Sequence, residues 1–326
     1  MTFVTINRLR EKMTTIDASS NEHGVAMTMV MIFCTMLALL YSLVSIQTRV
    51  KSQESTTRFL PDPEIQPSKY YYELFNWIYT VVWISLFGCI VVFQLYESFT
   101  AWTYMIVLVG LALPLLLQPF IYPMGPDKNR PVFERYAFKA NLWMAIFSFI
   151  GNYWYTHYFY SVLKATYTFP SHNLNNVPIC LYFATHFYFS TYHSLSNGLL
   201  RMVQTTYEPN ILRTLLFAGV VAVLSYFTAF METLTISSFP YYSFEDRNMA
   251  YSFGSAFYGI YFIFSFPMFY FFDQQIDNDG KKNTKDSKGT SVWETVVHVN
   301  ACGMLVFCAL DFVRLGLAKV PLVVGA

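Results

Sequence analysis

A chain of 326 residues that is 55% hydrophobic, 19% aromatic and only 13% charged is too apolar for a soluble globular domain, in which about a quarter of residues carry charge. A formal charge of +1 and a sequence pI near 7.6 leave no basic stripe to follow a phosphate backbone, which excludes nucleic acid as a partner. The solvent this composition fits is a lipid bilayer.

A polar tail of more than twenty residues precedes the first apolar run, and that run is longer than a secretory signal core, so the N-terminus reads as a signal anchor. At about 20 apolar residues per crossing, the sequence predicts spans at Val25–Ile46, Leu74–Leu95, Thr103–Pro123, Phe138–Phe159, Val177–Leu200, Ile211–Ser237, Tyr251–Phe272 and Trp293–Leu317. The expected fold class is all-α, a polytopic transmembrane helical bundle of about eight spans. Long apolar runs without two-residue alternation exclude an outer-membrane barrel.

Between the first two spans, Gln47–Tyr72 is rich in Ser, Thr and charge, and Pro61, Pro63 and Pro67 block regular structure. This linker is the best internal boundary, dividing an N-terminal tail, accessory anchor and linker (1–66) from the transmembrane domain (67–326). The segment Asp273–Gly289 is too polar to order itself and is expected to be a solvated loop. No internal repeat of the inverted-transporter kind is visible. The cysteines Cys34, Cys89, Cys180, Cys302 and Cys308 all fall inside apolar runs and read as small buried hydrophobes.

Lys and Arg concentrate in alternate loops: Arg49, Lys51, Arg58 and Lys69; Lys128, Arg130 and Arg135; Arg201; and Lys281, Lys282, Lys285 and Lys288. Cytoplasmic loops hold such an excess, so these loops are expected inside and both termini outside. Lys164, Arg247, Lys319 and the tail residues Arg8, Arg10 and Lys12 lie on the other side, and the tail residues run against the rule.

That orientation gathers at one membrane face the end of span four, the start of span five, the end of span six and the start of span seven. The stretch Gly151–Asn176 turns from apolar to polar and aromatic, with Asn152, Thr156 and His157 near the helix end. Polar groups in hydrocarbon mark either a functional cavity or a hydrogen-bonded helix cap, and the stretch alone fits both. Span five places His186, Ser190, His193 and Asn197 on one helix face, a cavity lining or a stripe that glues helices. Span six does the same with Ser225, Thr228, Glu232 and Thr235. Glu232 is the glutamate placed well inside a span, and without a cation partner such a carboxyl resists ionisation. Beyond it, Phe239–Arg247 is a polar aromatic loop in which Glu245, Asp246 and Arg247 read as a surface ion cluster. Asp311 and Arg314 are three residues apart on span eight and pair structurally.

From His157 onward the histidines are spaced fifteen, fourteen and seven residues apart. These intervals match neither the tight boxes of membrane di-iron oxygenases nor a HExxH zinc site, so no metal is expected. No GxSxG elbow is present either.

NLWMAIFSFIGNYWYTHYF (Asn141–Phe159), YTFPS (Tyr167–Ser171), NNVP (Asn175–Pro178), FPYYSFEDR (Phe239–Arg247) and YFIFSFPMF (Tyr261–Phe269) together resemble the cyclopropyl sterol isomerases, the cycloeucalenol cycloisomerase family. The resemblance runs from about Pro67 to Leu322, so the first span and its linker lie outside it. The loop Asp273–Gly289 is also unlike the family.

The resemblance implies opening of the 9β,19-cyclopropane ring of a 4α-methyl sterol, cycloeucalenol to obtusifoliol, in the endoplasmic reticulum membrane. It implies a sterol substrate and no cofactor, because only protons move. It transfers no catalytic residue, so the assignments rest on chemistry. The reaction needs an acid to protonate C19, aromatic faces to stabilise the cation at C9 and a base to take the C8 proton. Glu232 is the candidate acid, with His157 or His186 as base and Tyr153, Trp154, Tyr158, Tyr182 and Phe239 as the cation wall. Asn152, Thr156 and Asn176 are candidates for the sterol hydroxyl, with Ser190, His193 and Asp246 as further contacts. A non-catalytic sterol-binding protein, a transporter or sensor, would need the aromatics and polar groups but no acid. Conversion of a cyclopropyl sterol to a product of unchanged mass separates the two.

Overall fold

The computed structural model describes residues 24, 27–50, 57–155, 165–237, 239–245, 254–277, 289–313 and 315. The tail arginines, Lys51, Lys164, Arg247, Lys281–Lys288, Arg314 and Lys319 lie outside these, so the Asp311–Arg314 pair and most of the charged loop do as well.

The described residues form α1 (Met27–Ser45), α2 (Pro67–Val92), α3 (Ala101–Ile121), α4 (Tyr136–Ile150), α5 (Ile179–Thr206), α6 (Ile211–Ser237), α7 (Ser255–Phe271) and α8 (Val292–Val313). Five of them, α1, α2, α3, α6 and α8, are long and apolar enough to cross a bilayer. The helices α4 and α7 are shorter, and α5 is diluted by its polar stripe. The fold is a mostly helical membrane bundle. Large apolar side chains on its outer faces, such as Val81, Ile106 and Leu305, face the hydrocarbon that the helices' internally satisfied backbones permit.

Apolar cores hold the bundle among the described residues; one, Leu200, Val203, Leu216, Phe217 and Val221, joins α5 and α6 with Leu40 and Leu43 of α1 against it. Trp143, Phe147, Phe262, Phe266, Val299 and Val306 join α4, α7 and α8. Trp83, Leu108, Leu111, Leu115 and Phe187 join α2, α3 and α5. Helix α6 lies along α7 in the most extensive pairing, and α3 lies along α5. Pro114 and Pro119 sit inside α3 and Pro267 inside α7, which membrane helices tolerate because neighbouring groups re-satisfy the freed carbonyls.

Four short strands depart from an all-helical expectation. β1 (Thr166–Tyr167) pairs antiparallel with β4 (Tyr242–Ser243), and β2 (Asn173–Leu174) with β3 (Val177–Pro178). The β2–β3 connection is two residues, Asn175 and Asn176, with φ of 53° and 59°. Positive φ at both positions is the signature of a type I′ hairpin turn, where asparagine is favoured.

Several expectations change. Pro67 does not block structure; it opens α2, because proline at the first helical position lacks only an amide that the helix would leave unbonded. The helix thus starts seven residues before Leu74 and takes in Glu73. The linker is docked at its ends: Val50 N donates to Thr206 O at 3.1 Å, Glu208 N to Thr48 O at 3.0 Å, and Phe59 lies flat on Gly198, where any Cβ would collide with its ring. The ends of Asp273–Gly289 are also ordered, with Asp273 buried. Only Cys180 and Cys302 are buried, whereas Cys34, Cys89 and Cys308 sit on outward faces.

Candidate active site and a second polar cluster

Glu232 lies near the C-terminal end of α6. Tyr258 of α7 donates its hydroxyl to Glu232 Oε2 at 3.0 Å, and Tyr192 of α5 is a second hydrogen-bonding neighbour. Among the described residues no Lys, Arg or His pairs with this carboxyl. The rings around it are contiguous: Tyr192 lies 6.1 Å from Tyr188 and 5.9 Å from Phe262, and Tyr258 lies 5.3 Å from Phe262 and 5.0 Å from Tyr261. A carboxyl held by phenols inside an aromatic shell can carry a proton and tolerate a cation nearby. Tyr188 and Tyr192, four apart on α5, had a readable helical spacing. Tyr258 had no partner visible in the sequence.

Above this carboxyl, the β1–β4 pair closes the end of the bundle. Tyr167 and Tyr242 pack as tilted rings with centroids 4.5 Å apart, and Thr168 N donates to Tyr241 O at 2.8 Å. Burial, followed by the neighbouring Tyr242 and Glu232, pushes the Tyr167 hydroxyl well above the ordinary phenol range. It stays a protonated donor. Phe239 belongs to this closure, 5.1 Å from Tyr96 and 6.3 Å from Phe169.

The proposed cation wall therefore divides. Tyr153 stacks on Phe149 at 5.4 Å and contacts Trp154 at 5.1 Å, with Tyr182 also on Phe149 at 5.6 Å. Phe239 sits in the separate cluster with Tyr96. Neither group supplies the rings recorded around Glu232.

Asn152 is the second residue of the π-helical turn Gly151–Tyr155 that follows α4. Its Nδ2 donates to Ser148 O at 2.8 Å and to Thr185 Oγ1 at 2.9 Å, tying the turn to α5. Asn175 Nδ2 donates to Tyr153 O at 2.6 Å. Asn176 is exposed at the hairpin turn, so its backbone conformation accounts for it without a ligand. Thr156, His157, Tyr158 and Asp246 lie outside the described residues.

The α5 stripe is buried as its spacing required, but its members point to different helices. His186 Nε2 meets Asn141 Oδ1 at 3.2 Å. Since Asn141 Nδ2 donates to Ala137 O, the oxygen accepts from the imidazole and the proton sits on Nε2. Among the described residues, Nδ1 of His186 then keeps its lone pair with no hydrogen-bond partner. Ser190 Oγ donates back to His186 O at 2.7 Å. His193 Nδ1 donates to Phe189 O at 2.8 Å and Nε2 accepts from Ser265 at 3.0 Å, inside a ring of Trp143, Phe147, Phe266 and Phe269. These bonds give Ser190 and His193 a packing role. On α6, Ser225 and Thr228 are buried, whereas Thr235 is exposed and bonds back to Met231 O.

At the opposite end lies a cluster the sequence did not announce. Glu73 receives Arg201 in a two-point ion pair, Nη2–Oε1 2.6 Å and Nη1–Oε2 3.0 Å, and Asn197 Nδ2 at 3.1 Å. Glu232 is therefore not the lone glutamate in a span helix; the planar guanidinium is what allows Glu73 to be buried. Lys139 pairs with Asp273 at 2.5 Å, and Arg130 bridges Asp277 at 3.2 Å and Asp127 at 3.3 Å. Asp127 also accepts the Tyr136 and Ala137 amides at the start of α4. Burial pushes its carboxyl above the ordinary range against the pull of those bonds. A cavity of about 260 Å³ opens beside this cluster, lined by Arg58, Asp62, Ile65, Gln66, Lys69, Arg201, Thr205, Tyr270 and Gln274. It is polar and below the roughly 300–1,000 Å³ of ordinary ligand pockets, unsuited to a sterol body. Tyr258 and Tyr270 are twelve residues apart on α7, which separates the two clusters by about 18 Å.

No family model matches the chain, and no solved structure matches it. A curated relative does: the cycloeucalenol cycloisomerase of Arabidopsis thaliana is 42% identical over 266 residues, covering 79% of this chain and 90% of the relative.

Proposed function

Because the chain belongs to the cycloeucalenol cycloisomerase family and is on that ground an isomerase, we propose that its substrate is a 4α-methyl sterol with a 9β,19-cyclopropane ring, converted from cycloeucalenol to obtusifoliol in sterol biosynthesis. It works as a multi-pass protein of the endoplasmic reticulum membrane, with α4, α5 and α7 completing eight spans. Residues 67–326 form the isomerase domain, and 1–66 form an anchor and strap. The charged end faces the cytoplasm.

The step moves protons and no net electrons. A proton from Glu232 reaches C19 as the C9–C19 bond breaks, and the electron pair of that bond forms the new C–H bond, leaving a tertiary cation at C9. A base then takes the C8 proton, and the C8–H electrons become the C8=C9 double bond. The observation that carries this reading is the setting of Glu232, a carboxyl joined to phenols with no cation partner among the described residues. Tyr192, Tyr258 and Phe262 offer ring faces to the cation. His186 is the base favoured by an Nδ1 that has no partner among the described residues, with His157 as the other candidate. Asn152, Tyr153, Tyr182 and Phe239 are the proposed sterol contacts at this end.

The test is incubation of membranes carrying the protein with cycloeucalenol in deuterated water. The expected product has a C8=C9 double bond and one deuterium, on C19. Sterol binding without conversion would identify a transporter or sensor instead.

A further inference from the structure

The two histidines of the α5 stripe are bonded differently. Both nitrogens of His193 are taken, Nδ1 by Phe189 O and Nε2 by the Ser265 hydroxyl. His186 makes one bond, from Nε2 to Asn141 Oδ1 at 3.2 Å, and among the described residues its Nδ1 has none. The residue is 2% exposed, so bulk water does not supply the missing bond. A buried polar atom without a partner calls for an explanation, and a lone pair kept free to receive a proton is one.

The partner of Nε2 is itself held in place. Asn141 is buried on α4, and its Nδ2 donates to the carbonyl of Ala137, one turn back, at 2.9 Å. A carbonyl only accepts, so it takes the amide nitrogen and turns the amide oxygen to His186. The same bond recurs at Asn152 and Asn300, to Ser148 O and Val296 O at 2.8 Å, which marks it as helix geometry rather than a response to the imidazole. Helix α4 thus presents a fixed, uncharged acceptor. An amide oxygen has no proton to give, so it holds Nε2 as N–H and leaves Nδ1 as the basic atom of the ring.

We infer that Asn141 is a positioning residue for the proposed isomerisation: it fixes the His186 ring so that Nδ1 takes the C8 proton, and its oxygen steadies the imidazolium that results. The inference rests on the reading of His186 as the base. The proton from C8 bonds to the Nδ1 lone pair, the C8–H electrons become the C8=C9 double bond, and the ring then carries N–H at both nitrogens. The Nε2–H bond to Asn141 becomes charge-assisted and stronger, so Asn141 stabilises the state formed in the step more than the resting ring. Loss of the Nδ1 proton to solvent and return of a solvent proton to Glu232 complete the cycle. A base oriented by a third group is a recurring arrangement of catalytic sites.

The experiment uses the full-length protein in lipid vesicles, labelled with nitrogen-15 at histidine, with the His186 signals assigned by their loss in His186→Gln. The parent is expected to show a protonated, hydrogen-bonded Nε2 and a bare Nδ1. Asn141→Leu keeps the size of the side chain without its acceptor. In that variant the hydrogen-bond signature of Nε2 should vanish and kcat per folded molecule should fall about 10–100-fold, the loss of one hydrogen bond to a charged group, with KM little changed. A proton on Nδ1 in the parent, or parent kcat in folded Asn141→Leu, overturns the proposal; if that variant does not fold, the parent spectrum decides. Parent turnover in His186→Gln would overturn the reading of His186 as base, and this proposal with it. Loss of turnover there, alongside parent kcat in Asn141→Leu, would overturn the role of Asn141 alone.

Discussion

The two ends of the bundle are closed by different physics. At one, Glu232, Tyr258, Tyr192 and the β1–β4 closure form a cluster of phenols, rings and one unpaired carboxyl. At the other, Glu73–Arg201, Lys139–Asp273 and Asp127–Arg130–Asp277 form ion pairs whose charges are almost fully matched. Matched charges fix geometry and have nothing left to donate, whereas a carboxyl among phenols with no cation beside it can hold a transferable proton. On the proposed reading, the difference puts stability at one end and chemistry at the other.

Glu232→Gln is the strongest way to break that contrast. It keeps the shape and an acceptor for Tyr258 but removes the acid, so turnover per folded molecule should fall about 10²–10⁴-fold with little change in thermal midpoint. A variant that turns over at the parent rate would move the chemistry elsewhere. At the other end, Lys139→Met leaves Asp273 buried without its cation, which typically costs about 3–5 kcal/mol. The expected result is a large loss of thermal stability in detergent with ring opening per folded molecule preserved. If ring opening fell instead, the charged end would belong to the mechanism.

A smaller effect sharpens the picture within the aromatic end. Tyr258→Phe removes one hydrogen bond to the carboxyl while keeping the ring, and turnover should drop roughly tenfold, about 1.4 kcal/mol. Steady-state assays should show it in kcat more than in KM. Smallest of all, chelator should leave the conversion rate unchanged, because every step of the proposed reaction is a proton transfer. Loss of activity restored by one metal ion would replace the acid–base reading.

The sequence was most readable where one helix explains itself. The α5 stripe was visible from spacing alone, because burial of His186, Ser190, His193 and Asn197 follows helical periodicity. What those residues meet was not, since Asn141, Ser265 and Glu73 come from three other helices far away in the chain. Lys69, Arg130 and Arg201 were read as loop charges that set orientation. Bonded to partners more than sixty residues distant, they set packing. Glu73 escaped notice because a proline was read as a stop when it was a start. Tyr258 escaped because a tyrosine in an apolar run looks the same whether it faces lipid or a carboxyl.

The seat of Phe59 on Gly198 bears on modularity. Resemblance to the isomerases begins at about Pro67, yet the ring of Phe59 fills a notch that only a glycine leaves open, and the carbonyl of the same residue accepts from Arg201. The homologous unit and the folding unit therefore end at different places. A truncation that followed homology would cut at 66 and deprive the Arg201–Glu73 pair of its cover, whereas one that followed packing would keep residues 57–66 and also α1, whose Phe33 stacks on Phe227 at 5.0 Å and whose end is tied to α6 by Gln47 Nε2 donating to Leu212 O at 2.9 Å. An expression fragment beginning before Arg58 is accordingly expected to outlast one beginning at Pro67.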